Sequence, residues 1–138
     1  MKAYIYILLV LGFLNSKTIH AQDPYVRIAK IIVDTSQLKQ YQSFLKEGIE
    51  TSVKLEKGVL RMFAVYEKDK PNHVTVFETY ASKEAYESHI KTTHFQKYKN
   101  GTLKMVQSLE LMDVVPIIYK TKKERVKYFL PILYHISI

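Results

Sequence analysis

The feature of this sequence that most constrains its fold is the order of strand-like and helix-like periodicity along residues 25–115. Apolar residues at alternate positions predict β-strands, whereas apolar residues at three- and four-residue steps predict amphipathic helices. These patterns follow one another as strand, helix, strand, strand, helix, strand. That order predicts an α+β, ferredoxin-like β-α-β-β-α-β unit. A chain of 138 residues has room for one such domain.

Four strands are predicted, at residues 25–33, 59–67, 73–80 and 109–115. The Asp-Lys-Pro-Asn segment at residues 69–72 has turn chemistry, which predicts an antiparallel hairpin of the second and third strands. The first and third strands are mostly apolar on both faces. A single layer of helices covers only one face of such a sheet, and an uncovered apolar face needs a partner. We therefore expect a twofold homodimer.

Residues that can cap the N-terminus of a helix precede each predicted helix. Asp34, Thr35 and Ser36 offer capping oxygens to a first helix. Its predicted buried stripe is formed by Leu38, Tyr41, Leu45, Ile49 and Val53. Ser82 can cap a second helix. A capping box beginning at Thr93 predicts a break near Thr92 and a further helical piece that extends to Val106.

The ends of the chain differ from this domain. Lys2, an apolar run over residues 4–14 and Ala21 form a secretory signal peptide pattern, which predicts cleavage near Ala21 and a periplasmic or secreted product. We therefore divide the chain into a signal peptide (1–21), a domain (24–116) and a basic and apolar C-terminal extension (117–138). The extension could contact anionic lipid, cover a sheet edge or be unstructured, and we assign it no function.

Charge and composition exclude several function classes. The net charge is +8, but residues 22–116 carry 14 Lys and Arg against 12 Asp and Glu, a balance of only +2. The domain is therefore not expected to bind nucleic acid. Because the chain has no cysteine, it can form no disulfide, thiolate metal site or thiol nucleophile. The sequence has no glycine-rich phosphate loop and no nucleophile elbow.

Two segments carry a resemblance to a known family. They are Phe-Glu-Thr-Tyr-Ala-Ser-Lys-Glu-Ala-Tyr at residues 77–86 and His-Ile-Lys-Thr-Thr-His-Phe-Gln-Lys-Tyr at residues 89–98. Over residues 25–116 the chain resembles the antibiotic biosynthesis monooxygenase (ABM) family. The resemblance implies a dimeric α+β barrel that inserts oxygen from O2 into small aromatic substrates such as quinols, without a metal or prosthetic group. Other members isomerise or degrade small signalling molecules.

Haem-degrading relatives share this fold, so their functional residues can be compared with the matching positions in this chain. They carry a histidine for the iron and a tryptophan on the third strand. The matching positions here are Lys99 and Tyr80, and the chain has no tryptophan. Haem degradation is therefore not expected.

Three residues are the candidate catalytic groups. Glu78 shares a face with Val74 and Val76 on an otherwise apolar strand, where desolvation would raise its pKa and suit it to act as a general base. His89 and His94 could each take or give a proton near neutral pH. The alternatives are a salt-bridged carboxylate, a half-buried structural histidine and a surface histidine at a helix cap. The five-residue spacing of the histidines fits no common zinc motif, so no metal is predicted.

Further residues are candidates for binding a substrate. They are Arg27, Tyr66, Tyr80, Tyr86, Phe95 and Tyr98. With eleven tyrosines in the chain, core packing is an alternative for any one of them, and a structural ion pair is the alternative for Arg27.

Two functions remain open at this point. The first is a cofactor-independent monooxygenase that acts on a small aromatic or quinol. The second is a non-catalytic dimeric module that binds a hydrophobic small molecule or serves in a stress response. Both need an aromatic pocket, but only the first needs a proton acceptor in it.

Overall fold

The computed structural model describes residues 23–119. The predicted signal peptide and residues 120–138 of the extension lie outside this range. The elements follow the predicted order: β1 (Tyr25–Val33), α1 (Leu38–Leu55), β2 (Val59–Glu67), β3 (Lys70–Tyr80), α2 (Lys83–His89), α3 (Thr93–Thr102) and β4 (Val106–Val114). A short 3-10 turn, Thr35–Gln37, leads into α1. The prediction of a ferredoxin-like α+β fold is confirmed.

The four strands form one antiparallel sheet in the order β2-β3-β1-β4. In the centre of the sheet, Arg27 of β1 pairs with Glu78 of β3 on one side and Asp113 of β4 on the other. On the other side of β3, Met62 of β2 pairs with Glu78. Because directly opposed residues share a face, these four side chains form one row across the sheet.

The hydrophobic core lies between one sheet face and α1. Ala29, Ile31 and Val33 of β1 alternate inward and are buried together with Val74 and Val76 of β3. From α1 the core receives Tyr41 and Leu45, and Met105 closes it just before β4. Val33 and Tyr41 are fully buried, so the core includes the region where β1 ends and α1 begins.

Side-chain caps fix the starts of the helical segments. Asp34 Oδ1 accepts the amide of Ser36 at 2.9 Å, and Ser82 Oγ accepts the amide of Ala85 at 3.3 Å. The cap of α3 is Thr92, whose Oγ1 accepts the amide of Phe95 at 3.3 Å. The predicted capping box at Thr93 was thus wrong by one residue. The side chain of Gln96 does not reach back to a cap, because its Nε2 donates to the carbonyl oxygen of Ile90 at 2.7 Å.

Three further predictions need correction. The β2–β3 turn is only two residues long, so β3 begins at Lys70 and not at residue 73. β4 begins at Val106, which had been assigned to the helix, because α3 ends at Thr102 and a turn follows. Val53 is 46% exposed, because its neighbour Ser52, which is 2% exposed, takes the inward position in this turn of α1.

The second face of the sheet carries an apolar surface of its own. Phe63 and Phe77 are opposed across β2 and β3, and their rings stack at 4.7 Å between centroids. Phe63 is 44% exposed and Val65 is 49% exposed. Ile28 lies beside Phe77 on the same face. We call this surface the open face.

Among residues 23–119, no helix is long and apolar enough to cross a membrane.

Candidate active site

A cavity of about 810 Å³ lies between the helix-covered face of the sheet and the helices. Its sheet wall includes Arg27 and Glu78, and its helix wall includes Phe95 and Tyr98. Three leucines, Leu103, Leu109 and Leu111, line it while staying 67%, 55% and 52% exposed. These exposures place the mouth of the cavity beside β4. A volume of this size suits a small organic molecule.

Glu78 is the carboxylate of the cavity wall. Strand alternation puts it on the same face as Val76, as the sequence predicted, and Tyr80 Oη donates to its Oε2 at 3.1 Å. Burial raises the pKa of Glu78 above its usual range; the Tyr80 hydrogen bond and the nearby His89 and Arg27 act in the opposite direction without cancelling it. A carboxyl group in this state is suited to taking a proton at near-neutral pH.

His89 and His94 meet at a single carboxylate that the sequence analysis did not identify. Glu56 Oε1 lies 2.8 Å from Nδ1 of His89 and 2.5 Å from Nε2 of His94. The His89 side chain is 5% exposed, and those of Glu56 and His94 are 14% and 18% exposed. Burial would raise the pKa of Glu56, but the hydrogen bonds from the two histidines outweigh it and lower the pKa. His89 lines the cavity, whereas His94 does not.

Arg27 is held by protein groups. Its Nε is 2.8 Å from Asp113 Oδ1, and its guanidinium lies 4.3 Å from the centre of the Tyr86 ring. The contact with Asp113 is an ion pair without hydrogen-bond alignment, since the buried Nε has no hydrogen-bond partner. The structural ion pair is therefore present, and the guanidinium also lines the cavity. A buried cation at this position favours an anionic group in the cavity.

The aromatic candidates separate into three groups. Tyr86, Phe95 and Tyr98 line the cavity. Tyr80 is fully buried behind Glu78, so it contributes a hydrogen bond to the carboxylate and no cavity surface. Tyr66 was predicted to bind substrate but does not line the cavity. It is 58% exposed, because the outer half of β2 extends beyond the helices.

One group of side chains could hold a metal ion. The donor atoms of Glu56, His89 and His94 all lie within 4.8 Å of one another, and two histidines with one carboxylate can bind iron(II) or zinc. In the present geometry one oxygen accepts from both rings. Each of the two N–H groups therefore has a hydrogen-bond partner.

Glu56 carries no sequence signal that distinguishes it from a surface glutamate. It follows α1 in a Leu-Glu-Lys-Gly segment, a composition typical of an exposed helix end. Only the packing of α1 against α2 and α3 brings its carboxylate to the two histidines, which lie 33 and 38 residues away in sequence.

The comparisons with known proteins agree with this fold. The model of the family described as Antibiotic biosynthesis monooxygenase matches residues 24–101, which include β1 to α3 and every candidate site residue. The chain belongs to the antibiotic biosynthesis monooxygenase family.

Solved structures extend this ABM assignment. A Bacteroides thetaiotaomicron protein described as an antibiotic biosynthesis monooxygenase is 53% identical, with a TM-score of 0.71, over 75% of this chain and 99% of that chain. A Lactobacillus acidophilus monooxygenase structure is 32% identical, with a TM-score of 0.66, over 69% of this chain and 46% of that one. A Nitrosomonas europaea structure at 18% identity and a TM-score of 0.65 shares the fold, over 68% of this chain and 99% of that one. No curated protein matches the chain.

Proposed function

We propose that this ABM protein is a cofactor-independent monooxygenase that oxidises a small aromatic or hydroquinone with O2. The observation that carries the proposal is Glu78, a carboxylate with a raised pKa in the wall of a largely apolar cavity. Burying a carboxylate costs free energy, and the fold alone does not require one at this position. Such groups are concentrated at sites where a proton is moved.

The cavity walls match an aromatic molecule that carries hydroxyl groups. Tyr86, Phe95 and Tyr98 offer ring surfaces, while Glu78 and His89 offer proton acceptors. Removing a proton from a hydroquinone gives an electron-rich anion that can reduce O2 directly. Arg27 lines the same cavity and stabilises negative charge there.

The overall reaction balances without a further reductant. A hydroquinone and O2 give a hydroxyquinone and water: one oxygen atom enters the ring, and the other leaves as water. The substrate loses four electrons and O2 gains four. Glu78 takes the hydroxyl proton, and this proton leaves with the water.

We also propose that the functional form is a homodimer joined through the open face. Phe63, Val65 and Phe77 present an apolar patch that no helix covers within residues 23–119. Exposed apolar surface of this kind marks a protein contact in most soluble proteins. A twofold contact would bury the same patch of both copies.

The test of the activity is oxygen uptake with a panel of hydroquinones, naphthohydroquinones and monohydric phenols, followed by mass spectrometry of products formed under ¹⁸O2. The expected result is uptake with at least one hydroquinone and one labelled oxygen atom in the product. Glu78→Gln keeps the shape and the acceptor for Tyr80 but cannot take the proton, so we expect kcat to fall about 10²-fold or more.

Glu84→Gln is the matched control, because Glu84 lies in the first turn of α2 but does not line the cavity. It should leave kcat unchanged. Uptake without ¹⁸O in the organic product would indicate an oxidase. Tight binding of aromatics with no uptake at all would favour the non-catalytic binding module. Equal loss in both variants would contradict a catalytic role for Glu78.

A further inference from the structure

The strongest feature outside the proposed chemistry is the Glu56–His89–His94 cluster. Two imidazole rings from different helical segments approach one carboxylate oxygen at 2.8 and 2.5 Å. A carboxylate oxygen only accepts hydrogen bonds, so each ring nitrogen that faces it must carry a hydrogen. The contacts therefore determine the tautomer of each neutral ring: Nδ1–H for His89 and Nε2–H for His94.

The tautomer of His89 has a consequence for the cavity. With hydrogen on Nδ1, the Nε2 atom of the neutral ring carries a lone pair and can only accept. This Nε2 atom has no hydrogen-bond partner within residues 23–119, and the residue lines the cavity. A free histidine in water prefers the opposite tautomer, in which Nε2 carries the hydrogen. The hydrogen bond to Glu56 reverses that preference.

The position of the His89 ring is also fixed. The Phe95 ring packs edge-on at 5.0 Å between centroids, and the Tyr80 ring lies at 5.5 Å. The charged and titratable groups that face it are Glu56, Glu78, the Tyr80 hydroxyl and the His94 ring, whose centroid lies 6.2 Å away. When Nε2 takes a proton, the ring becomes a cation whose Nδ1–H already points at the Glu56 carboxylate. Such a pair stabilises the cation where it forms.

We propose that Glu56 is a positioning residue that locks His89 as a proton acceptor toward the cavity, and that His94 in turn holds the Glu56 carboxylate in place. The step is a proton transfer to Nε2 of His89 from the second hydroxyl group of the bound molecule, the one that does not give its proton to Glu78, while the Nδ1–H of His89 stays hydrogen-bonded to Glu56. The hydroxyl oxygen keeps the electron pair of the broken O–H bond. This inference rests on the proposed function for the identity of the proton donor, but the tautomer does not depend on it.

The first test reads the tautomers directly, by long-range ¹H–¹⁵N NMR of the ¹⁵N-labelled protein at pH 8. The wild type should show Nδ1–H for His89 and Nε2–H for His94. Glu56→Gln should keep both patterns, because one amide oxygen can replace the one carboxylate oxygen that accepts both bonds. Glu56→Ala should switch His89 to Nε2–H.

A matched control comes from Glu47, which also links α1 to α3 through Lys97 but is 55% exposed. Glu47→Ala should leave both tautomers unchanged. If His89 keeps Nδ1–H in Glu56→Ala, or shows Nε2–H in the wild type, the proposal is overturned. Glu56→Gln guards against a folding defect, since it keeps the size and the acceptor.

The second test is kinetic and uses a hydroquinone of the panel above that the wild type oxidises. Glu56→Gln keeps the tautomer but removes the charge, so kcat should fall about tenfold or more while KM changes by about twofold at most. His94→Gln, which can still donate to Glu56, should keep more of the rate than His94→Ala. Equal kcat in the wild type and Glu56→Gln would contradict the charge role. If no hydroquinone is oxidised, the proposed function fails while the NMR result still decides the tautomer.

Discussion

Both faces of the central sheet are mostly apolar, but they differ in where their charged residues lie and how exposed these residues are. On the covered face, Arg27, Glu78 and Asp113 form a charged row beside the buried residues Ala29 and Val76. On the open face, the charged pair Lys30–Glu110 is more than half exposed at 4.0 Å, and Phe63 stacks on Phe77. A charged group that stays exposed to water costs little free energy. A buried charged group costs much more unless it has a partner, and it is often retained because it has a function. The proposed chemistry therefore lies on the covered face, and the proposed dimer contact lies on the open face.

The covered face is itself divided along the strands. At one end, Val33, Tyr41 and Val74 are buried together in the hydrophobic core. At the other end the helices stand away from the sheet and leave the cavity next to Glu78. The site thus lies on a rigid strand at the border of the tight core, where a carboxylate can be held in place and still reached by a ligand.

The largest expected effect comes from placing the same charge on each face of β1. Ile31 is 5% exposed in the core, so Ile31→Asp should cost more than about 4 kcal/mol and leave the domain unfolded. Ile28→Asp places its charge on the open face, so the domain should stay folded but lose self-association.

Circular dichroism melts and light scattering coupled to gel filtration measure the two outcomes. The comparison of the faces fails if Ile28→Asp unfolds the domain as Ile31→Asp does. The proposed dimer fails if Ile28→Asp still elutes with the mass of two chains.

A smaller effect is expected at two helix glycines on the covered face. A Cβ at Gly48 would meet Tyr98 at 3.6 Å, an ordinary contact, so Gly48→Ala should stabilise the fold by about 0.5–1 kcal/mol through helix propensity. A Cβ at Gly101 would lie 2.6 Å from the Phe44 ring, so Gly101→Ala should destabilise it by about 1–2 kcal/mol. Urea unfolding curves of the two variants should move in opposite directions. A shift of both in the same direction would show that helix propensity, and not the Phe44 contact, dominates at Gly101.

Gly101 also shows what the sequence could and could not predict. A glycine inside a helical pattern lowers helix propensity, but no local signal indicates that the Phe44 ring occupies the space that a side chain at this position would take. Strand alternation, in contrast, placed Glu78 on the correct face, because a period of two needs no tertiary information. The order of the elements was predictable for the same reason.

The candidate site was predictable only in part. Glu78, His89 and the cavity aromatics lie in segments with clear periodicity, whereas Glu56 lies beyond the end of a helix and acts through contacts 33 and 38 residues away. Tyr66 shows the converse. It lies on the predicted strand, but its exposure depends on how far the helices extend over the sheet, which strand periodicity does not report.

The last effect, the pH dependence of an effect of about 1 kcal/mol, is the most specific. It compares two carboxylates near the cavity whose contributions to stability should change with pH in opposite directions. The pKa of Glu78 is raised by burial in the folded protein. Its contribution to stability is therefore favourable below the ordinary glutamate pKa of about 4.3 and is lost as the pH rises through the folded-state pKa. Glu78→Gln should stabilise the protein by about 1 kcal/mol at pH 7 and by less toward pH 4.

Glu56 should behave in the opposite way. The hydrogen bonds from His89 and His94 outweigh burial and lower its pKa, so its contribution is present above about pH 4.3 and is lost as the pH falls through the folded-state pKa. Glu56→Gln should therefore destabilise the protein by about 1 kcal/mol at pH 7, with the difference shrinking in acid. Denaturant unfolding of both variants between pH 4 and pH 8 measures the two slopes. Slopes of the same sign would mean that the two carboxylates do not occupy the distinct environments on which the proposed base and the positioning residue depend.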